Sequence, residues 1–271
     1  MSVLPVALLA LSPQGQPMNL PITAYEMPHV GGLKEIVMGV EEKPWQRLGL
    51  FFNKPVAFNN VTTGKRTINF IEVQIGHAET LVRPVQMGGT IPAYVVEAGG
   101  LIRQELGPFK VNNTAKRWWW VTKEGKIVRD YFQVTTSSGA WTMDVRFKKD
   151  TYDLVLGTPK GETSTEGVSG FDLTKIDAMF TPMIVDGKKV ISQKEFFLFD
   201  PISGVPQPWK VLLSGRFSSP NTTHKATGFI AEITGRGITR KVFISDQGDL
   251  YRVELPKERY LQWNPTKTLG G

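Results

Sequence analysis

The sequence predicts a mainly β protein: an antiparallel barrel or sandwich with long loops and one or two short helices. Three observations carry that expectation. Apolar and polar residues alternate with the period of a strand in many short runs. Glycine falls between those runs where a short antiparallel hairpin needs positive φ. Helix start and stop signals are scarce.

Along the chain, residues 1–33 read as an arm that holds no Lys or Arg and is uncharged apart from Glu26. Pro5, Pro13, Pro17, Pro21 and Pro28 disfavour a long helix there. Such an arm is expected to pack on the body or on another subunit, making the protein a homo-oligomer. Residues 34–271 form the β body, divided into two units if the segment 157–170 is a linker. That segment, GTPKGETSTEGVSG, is nearly free of large apolar residues and reads as a loop.

Strands are expected at 47–52, 93–97, 118–122, 127–135, 152–156, 190–199, 209–217, 228–234, 239–245 and 250–255. Residues 140–148 show the clearest alternation: Trp141, Met143, Val145 and Phe147 fall on one face, Thr142, Asp144, Arg146 and Lys148 on the other. Residues 67–75 also alternate, but the phase slips between Phe70 and Ile71, which predicts a β-bulge or a strand covered on both faces. A turn is expected at 101–106 after Gly99-Gly100, a short helix at 172–180 with Asp172 near its start, and a surface loop at 201–208. Gly125 and Gly248 sit in hairpins of one layout, 123 positions apart. A duplication would leave such a pair, and short hairpins also converge on it.

Composition narrows the function classes. Of 271 residues, 41% are hydrophobic and 21% charged, a globular balance. The net charge of +7 and a pI of about 9.5 favour anionic partners. There is no cysteine, which excludes disulfides, thiolate metal sites and a cysteine nucleophile. It also favours an intracellular location. The apolar run from Val3 to Leu11 has no basic residue before it and so does not read as a secretory signal. No run approaches the roughly 20 apolar residues that cross a bilayer, so no membrane partner is expected.

Catalytic patterns are missing. His29, His77 and His224 are far apart, and neither a GxSxG elbow nor a GxxxxGK[ST] loop occurs. Asp144, Asp150 and Asp153 with Glu72 show no spacing that sets them apart from polar-face residues. The chain is therefore expected to be no enzyme and to need no cofactor or metal.

The unusual segment is KRWWWVTKEGK at 116–126. In a strand Trp118 and Trp120 share one face and Trp119 takes the other, so at least one indole faces outward unless both faces are covered. Lys116, Arg117, Lys123, Lys126 and Arg129 crowd the same hairpin. Exposed rings among cations suit single-stranded nucleic acid, because bases stack on the rings and the cations follow the phosphates. The expected contact set is Lys116, Arg117, Trp118, Trp119, Trp120, Lys123, Lys126 and Arg129, extended by Arg146 and by Arg236, Arg240 and Lys241 of a second basic strand. The expected function is non-enzymatic binding of single-stranded nucleic acid on an oligonucleotide-binding type of barrel. The alternative is a structural or assembly protein, such as a virion or tail component, whose arm and Trp run are subunit contacts.

Overall fold

A computed structural model describes residues 43–52, 56–62, 65–71, 74–106, 109–177, 182–219, 225–255 and 259–263. The expected arm at 1–33 lies outside them. Strand β1 (Lys43–Phe52) is followed by a separate hairpin, β2 (Val56–Thr62) with β3 (Lys65–Ile71). A meander then runs through β4 (Gln74–Met87), β5 (Ile91–Leu106), β6 (Phe109–Thr122), β7 (Ile127–Thr136), β8 (Gly139–Phe147), β9 (Tyr152–Thr158) and β10 (Gly161–Val168). After helix α1 (Thr174–Asp177) and the small hairpin β11 (Ile184–Val185) with β12 (Lys188–Lys189), a second meander follows. It comprises β13 (Gln193–Phe199), β14 (Pro206–Ser218), β15 (Thr227–Gly235), β16 (Ile238–Ser245), β17 (Leu250–Leu255) and β18 (Arg259–Trp263).

Strand β1 pairs with β4 on one side and β18 on the other, so both meanders belong to one antiparallel sheet of 14 strands. The mainly β, antiparallel expectation is met. An oligonucleotide-binding barrel is not, because that fold has about five strands.

The sheet rolls until its two ends approach. Phe199, at the end of β13, places its ring 5.7 Å from Phe147 and 4.9 Å from Tyr152, on β8 and β9. The turn after it carries Gly204 at φ +67°, where a Cβ would lie 2.7 Å from Leu154 Cδ2. Only a residue without a side chain fits that approach. Strands β10 and β13 remain the two edges, so the barrel is rolled but not closed by hydrogen bonds. One core fills the interior, drawing Val96, Trp119, Phe132 and Met143 from the first meander and Phe196, Trp209, Val242 and Val253 from the second. Fully burying each such side chain stabilises the fold by about 1.5–3 kcal/mol.

Several expectations need correction. The segment 157–170 is the end of β9 and the whole of β10, paired from Gly161 opposite Thr158 to Val168 opposite Tyr152. It reads as a loop because β10 is an edge strand exposed on nearly every residue, so neither of its faces needs apolar side chains. The strands before and after it in the chain belong to the same 14-stranded sheet. Residues 101–106 continue β5 instead of turning. The glycines are tolerated in the strand because Gly99 is covered: a Cβ there would lie 3.3 Å from Glu79 and 3.5 Å from Lys116. The slip at Phe70 and Ile71 marks the end of β3. The helix expected at 172–180 is described as the four residues of α1, with Asp172 accepting the Thr174 N–H at 3.1 Å. In 201–208, residues 201–205 make the turn before β14, with Pro201 and Gly204 buried and Val205 exposed, while Pro206–Pro208 already belong to β14.

Candidate ligand platform on the outer face

The alternation along β6 sorts the tryptophans. Ala115, Arg117, Trp119 and Val121 are buried on the inner face, while Lys116 is exposed and Trp118 and Trp120 are half-buried on the outer face. The hairpin to β7 fixes this register. Thr122 N–H donates to Lys126 O at 2.8 Å and Gly125, at φ +85°, donates to Thr122 O at 3.0 Å. That is a short loop whose last residue must be glycine. Lys123 and Lys126 stand exposed at its tip.

Pairing across five strands builds the outer surface in rows. One row runs Val95, Trp120, Arg129, Arg146, Asp153, and the next runs Glu97, Trp118, Tyr131, Asp144, Val155. Within the rows, the Arg129 guanidinium lies over the Trp120 ring at 4.8 Å and the Tyr131 ring at 5.7 Å. Trp118 and Tyr131 pack at 5.5 Å, tilted. Asp144 accepts from Arg129 through both oxygens, at 2.7 and 2.8 Å, and from Arg146 at 3.0 Å. Arg83 donates to Glu97 at 2.8 Å, and Lys148 pairs with Asp153 at 2.8 Å. The Lys148 hydrogen bond and the Gly167 N–H hold the Asp153 carboxyl below its ordinary value. The surface is thus an aromatic patch whose guanidinium groups are paired with a carboxylate. Arg146, at 64% side-chain exposure, keeps most of its edge in solvent.

The expected contact residues fall in four places. Lys116, Trp118, Trp120, Arg129 and Arg146 share the outer patch, and Lys123 and Lys126 border it. Arg236 and Lys241 belong to the second meander; Arg236 sits in the β15–β16 turn, 3.7 Å from Asp200. Arg117, Trp119 and Arg240 are corrections: each is at most 1% exposed and faces the core. Arg117 donates through Nε to Asp130 at 2.8 Å and through Nη2 to the Phe199 carbonyl at 2.9 Å, and it lies over Trp119 at 5.0 Å. Burial pushes the Asp130 carboxyl up, against the pull of Arg117. Arg240 lies over the Trp209 ring at 5.4 Å.

Tyr131 and Asp144 complete the patch, and the expected contact set lacked both. Alternation from Arg129 puts Tyr131 on the outer face, whereas the place of Asp144 opposite Tyr131 depends on strand pairing that periodicity does not give. Of the carboxylates considered for a metal cluster, Asp144 and Asp153 are engaged by the cations above. Glu72 lies outside the described residues.

No protein-family model matches the chain, and no curated protein does. A solved structure from Brucella abortus, a β-barrel-like protein of the domain of unknown function DUF1849, is similar over 82% of this chain and 98% of its own. The identity is 10% and the TM-score 0.48. No helix among the described residues is long and apolar enough to cross a membrane.

Proposed function

We propose that the chain is a non-enzymatic, intracellular protein that binds single-stranded nucleic acid on the outer face of β5 to β8. The observation that carries this reading is the side-by-side placement of Trp118 and Trp120 on that face, with Arg129 stacked on Trp120 and Tyr131 beside Trp118. A ring held in place by its neighbours offers an unpaired base a stacking surface worth about 1–3 kcal/mol. Lys116, Lys123, Lys126 and the free edge of Arg146 supply donors for phosphate. Asp144 offsets part of the charge on Arg129 and Arg146, so stacking contributes more than phosphate contact and the salt dependence of binding is shallow. A gel shift with labelled single-stranded and duplex oligonucleotides tests the reading. Preferential retention of the single strand supports it, and no retention of either at micromolar protein overturns it.

A second reading is favoured by the open edge of the sheet. Strand β10 is a sheet edge, and such an edge is a template for pairing with another chain. In this reading the protein is an assembly component and oligomerises. A large assembly on a sizing column, together with no oligonucleotide binding, selects it.

A further inference from the structure

The two hairpins 123 positions apart in the sequence fold alike. In the β16–β17 hairpin, Ser245 N–H donates to Asp249 O at 2.8 Å and Gly248, at φ +86°, donates to Ser245 O at 2.8 Å. This repeats the bonds of Thr122, Lys126 and Gly125. Each hairpin is followed by the same slip of register, between Trp120 and Val121 in the first and between Phe243 and Ile244 in the second. The likeness extends outward from the turns. Arg117 and Arg240 occupy the same inward place and are both buried. Arg129 and Arg252 occupy the same place after the turn, and each lies over an aromatic ring, Trp120 at 4.8 Å and Tyr260 at 4.1 Å. Phe243 stands where Trp120 stands, half-buried between core residues Val242 and Ile244 and so facing outward.

Around Phe243 the outer face is aromatic again. Phe217 packs edge-on against Phe243 at 5.4 Å and tilted against Tyr251 at 5.4 Å, and the Tyr251 hydroxyl shares a 2.6 Å hydrogen bond with Ser219. Lys241, two residues from Phe243 on the same face of β16, is exposed.

We infer that the second meander carries a second platform, Phe217, Phe243 and Tyr251 with Lys241, and that it takes the same ligand class as the first, the unpaired bases of a single strand. The ligand class rests on the function proposed above; the existence of the platform rests on the repeated hairpin. The sheet order β6, β5, β4, β1, β18, β17, β16 separates the two platforms by six strand steps. At about 4.8 Å per step they lie roughly 29 Å apart around the curved sheet. Four stacked nucleotides span only about 14 Å, so a tetranucleotide occupies one platform at a time.

Calorimetric titration of the full chain with a single-stranded thymidine tetranucleotide tests this. Two molecules bound per chain are expected, falling to one in Phe243→Ala and to one in Trp120→Ala. Lys241→Gln, at an exposed position opposite Glu232, should weaken one of the two sites several-fold with the melting temperature little changed, which separates the effect from misfolding. One molecule per chain, lost in Trp120→Ala and untouched by Phe243→Ala and Lys241→Gln, overturns the second platform and leaves the first standing. No binding by the unaltered chain overturns both.

Discussion

Trp119 and Trp120 are adjacent in the chain and lie on opposite faces of β6. The Trp119 ring is 0% exposed in the core, while the Trp120 ring is on the outer face beneath the Arg129 guanidinium at 4.8 Å. The run of three tryptophans is thus two features interleaved, one that holds the barrel and one that faces outward.

Stability should therefore split by alternation. Trp119→Ala leaves a large cavity between Arg117 and the core and should cost about 3–5 kcal/mol. Trp120→Ala should cost far less. Urea denaturation of the two variants measures the difference, and equal losses would mean that the outer ring is packed as tightly as the inner one.

The Arg117–Asp130 pair should matter through its breakage. Replacing Asp130 by Ala leaves a buried guanidinium without its carboxylate, at a cost of about 3–5 kcal/mol. It also loosens the arm that holds the Phe199 carbonyl, which links the end of β13 to β6. Hydrogen exchange should then accelerate in β13 before it does in β16 or β17. Uniform acceleration would show that Arg117 does not anchor that end.

Lys194 sets a pH dependence. It pairs with Val211 in the β13–β14 ladder, and burial pushes its ammonium down to about 7. Above that pH the folded chain has released a proton that the unfolded chain keeps up to about 10.4. The unfolded state then binds more protons, so this group makes stability rise with pH from about 7 to about 10. Below pH 7 the ammonium must stay charged while buried, and the gain is absent. Lys194→Met should remove the rise, as read from melting temperatures at pH 6 and pH 9 in both proteins. A rise that persists in the variant would place its source elsewhere.

Asp144 should act as a brake on anion binding, because it engages both Arg129 and Arg146. Asp144→Asn removes that charge and should strengthen oligonucleotide binding several-fold. The salt slope should also steepen, by about 0.7 for each additional phosphate neutralised. Unchanged affinity and slope would separate these arginines from the ligand.

Much of the fold was legible where one face of a strand is wet. The alternation at 140–148 places Met143 and Val145 in the core and Thr142, Asp144 and Arg146 outside, as the structure does. The glycines of both hairpins are at the positions the turns demand. Strand β10 was illegible because an edge exposed on both faces has no apolar period to read. Gly99 and Gly100 looked like a break because the side chains that cover Gly99 come from other strands. The division of the basic residues was only half legible. Periodicity puts Arg117 on the face of Trp119, but its burial depends on Asp130 across the hairpin and on the carbonyl of Phe199, 82 residues away.

The central claim is that the outer indoles stack bases. The direct test is fluorescence anisotropy of a labelled single-stranded oligonucleotide titrated with the unaltered chain and with a Trp118→Ala/Trp120→Ala double variant, each checked by thermal melting. At about 1–3 kcal/mol per stacked base, and tenfold for every 1.4 kcal/mol, the double variant should bind at least tenfold more weakly while melting within a few degrees of the unaltered chain. Equal affinity of the two proteins, or no binding by the unaltered one, would contradict the account.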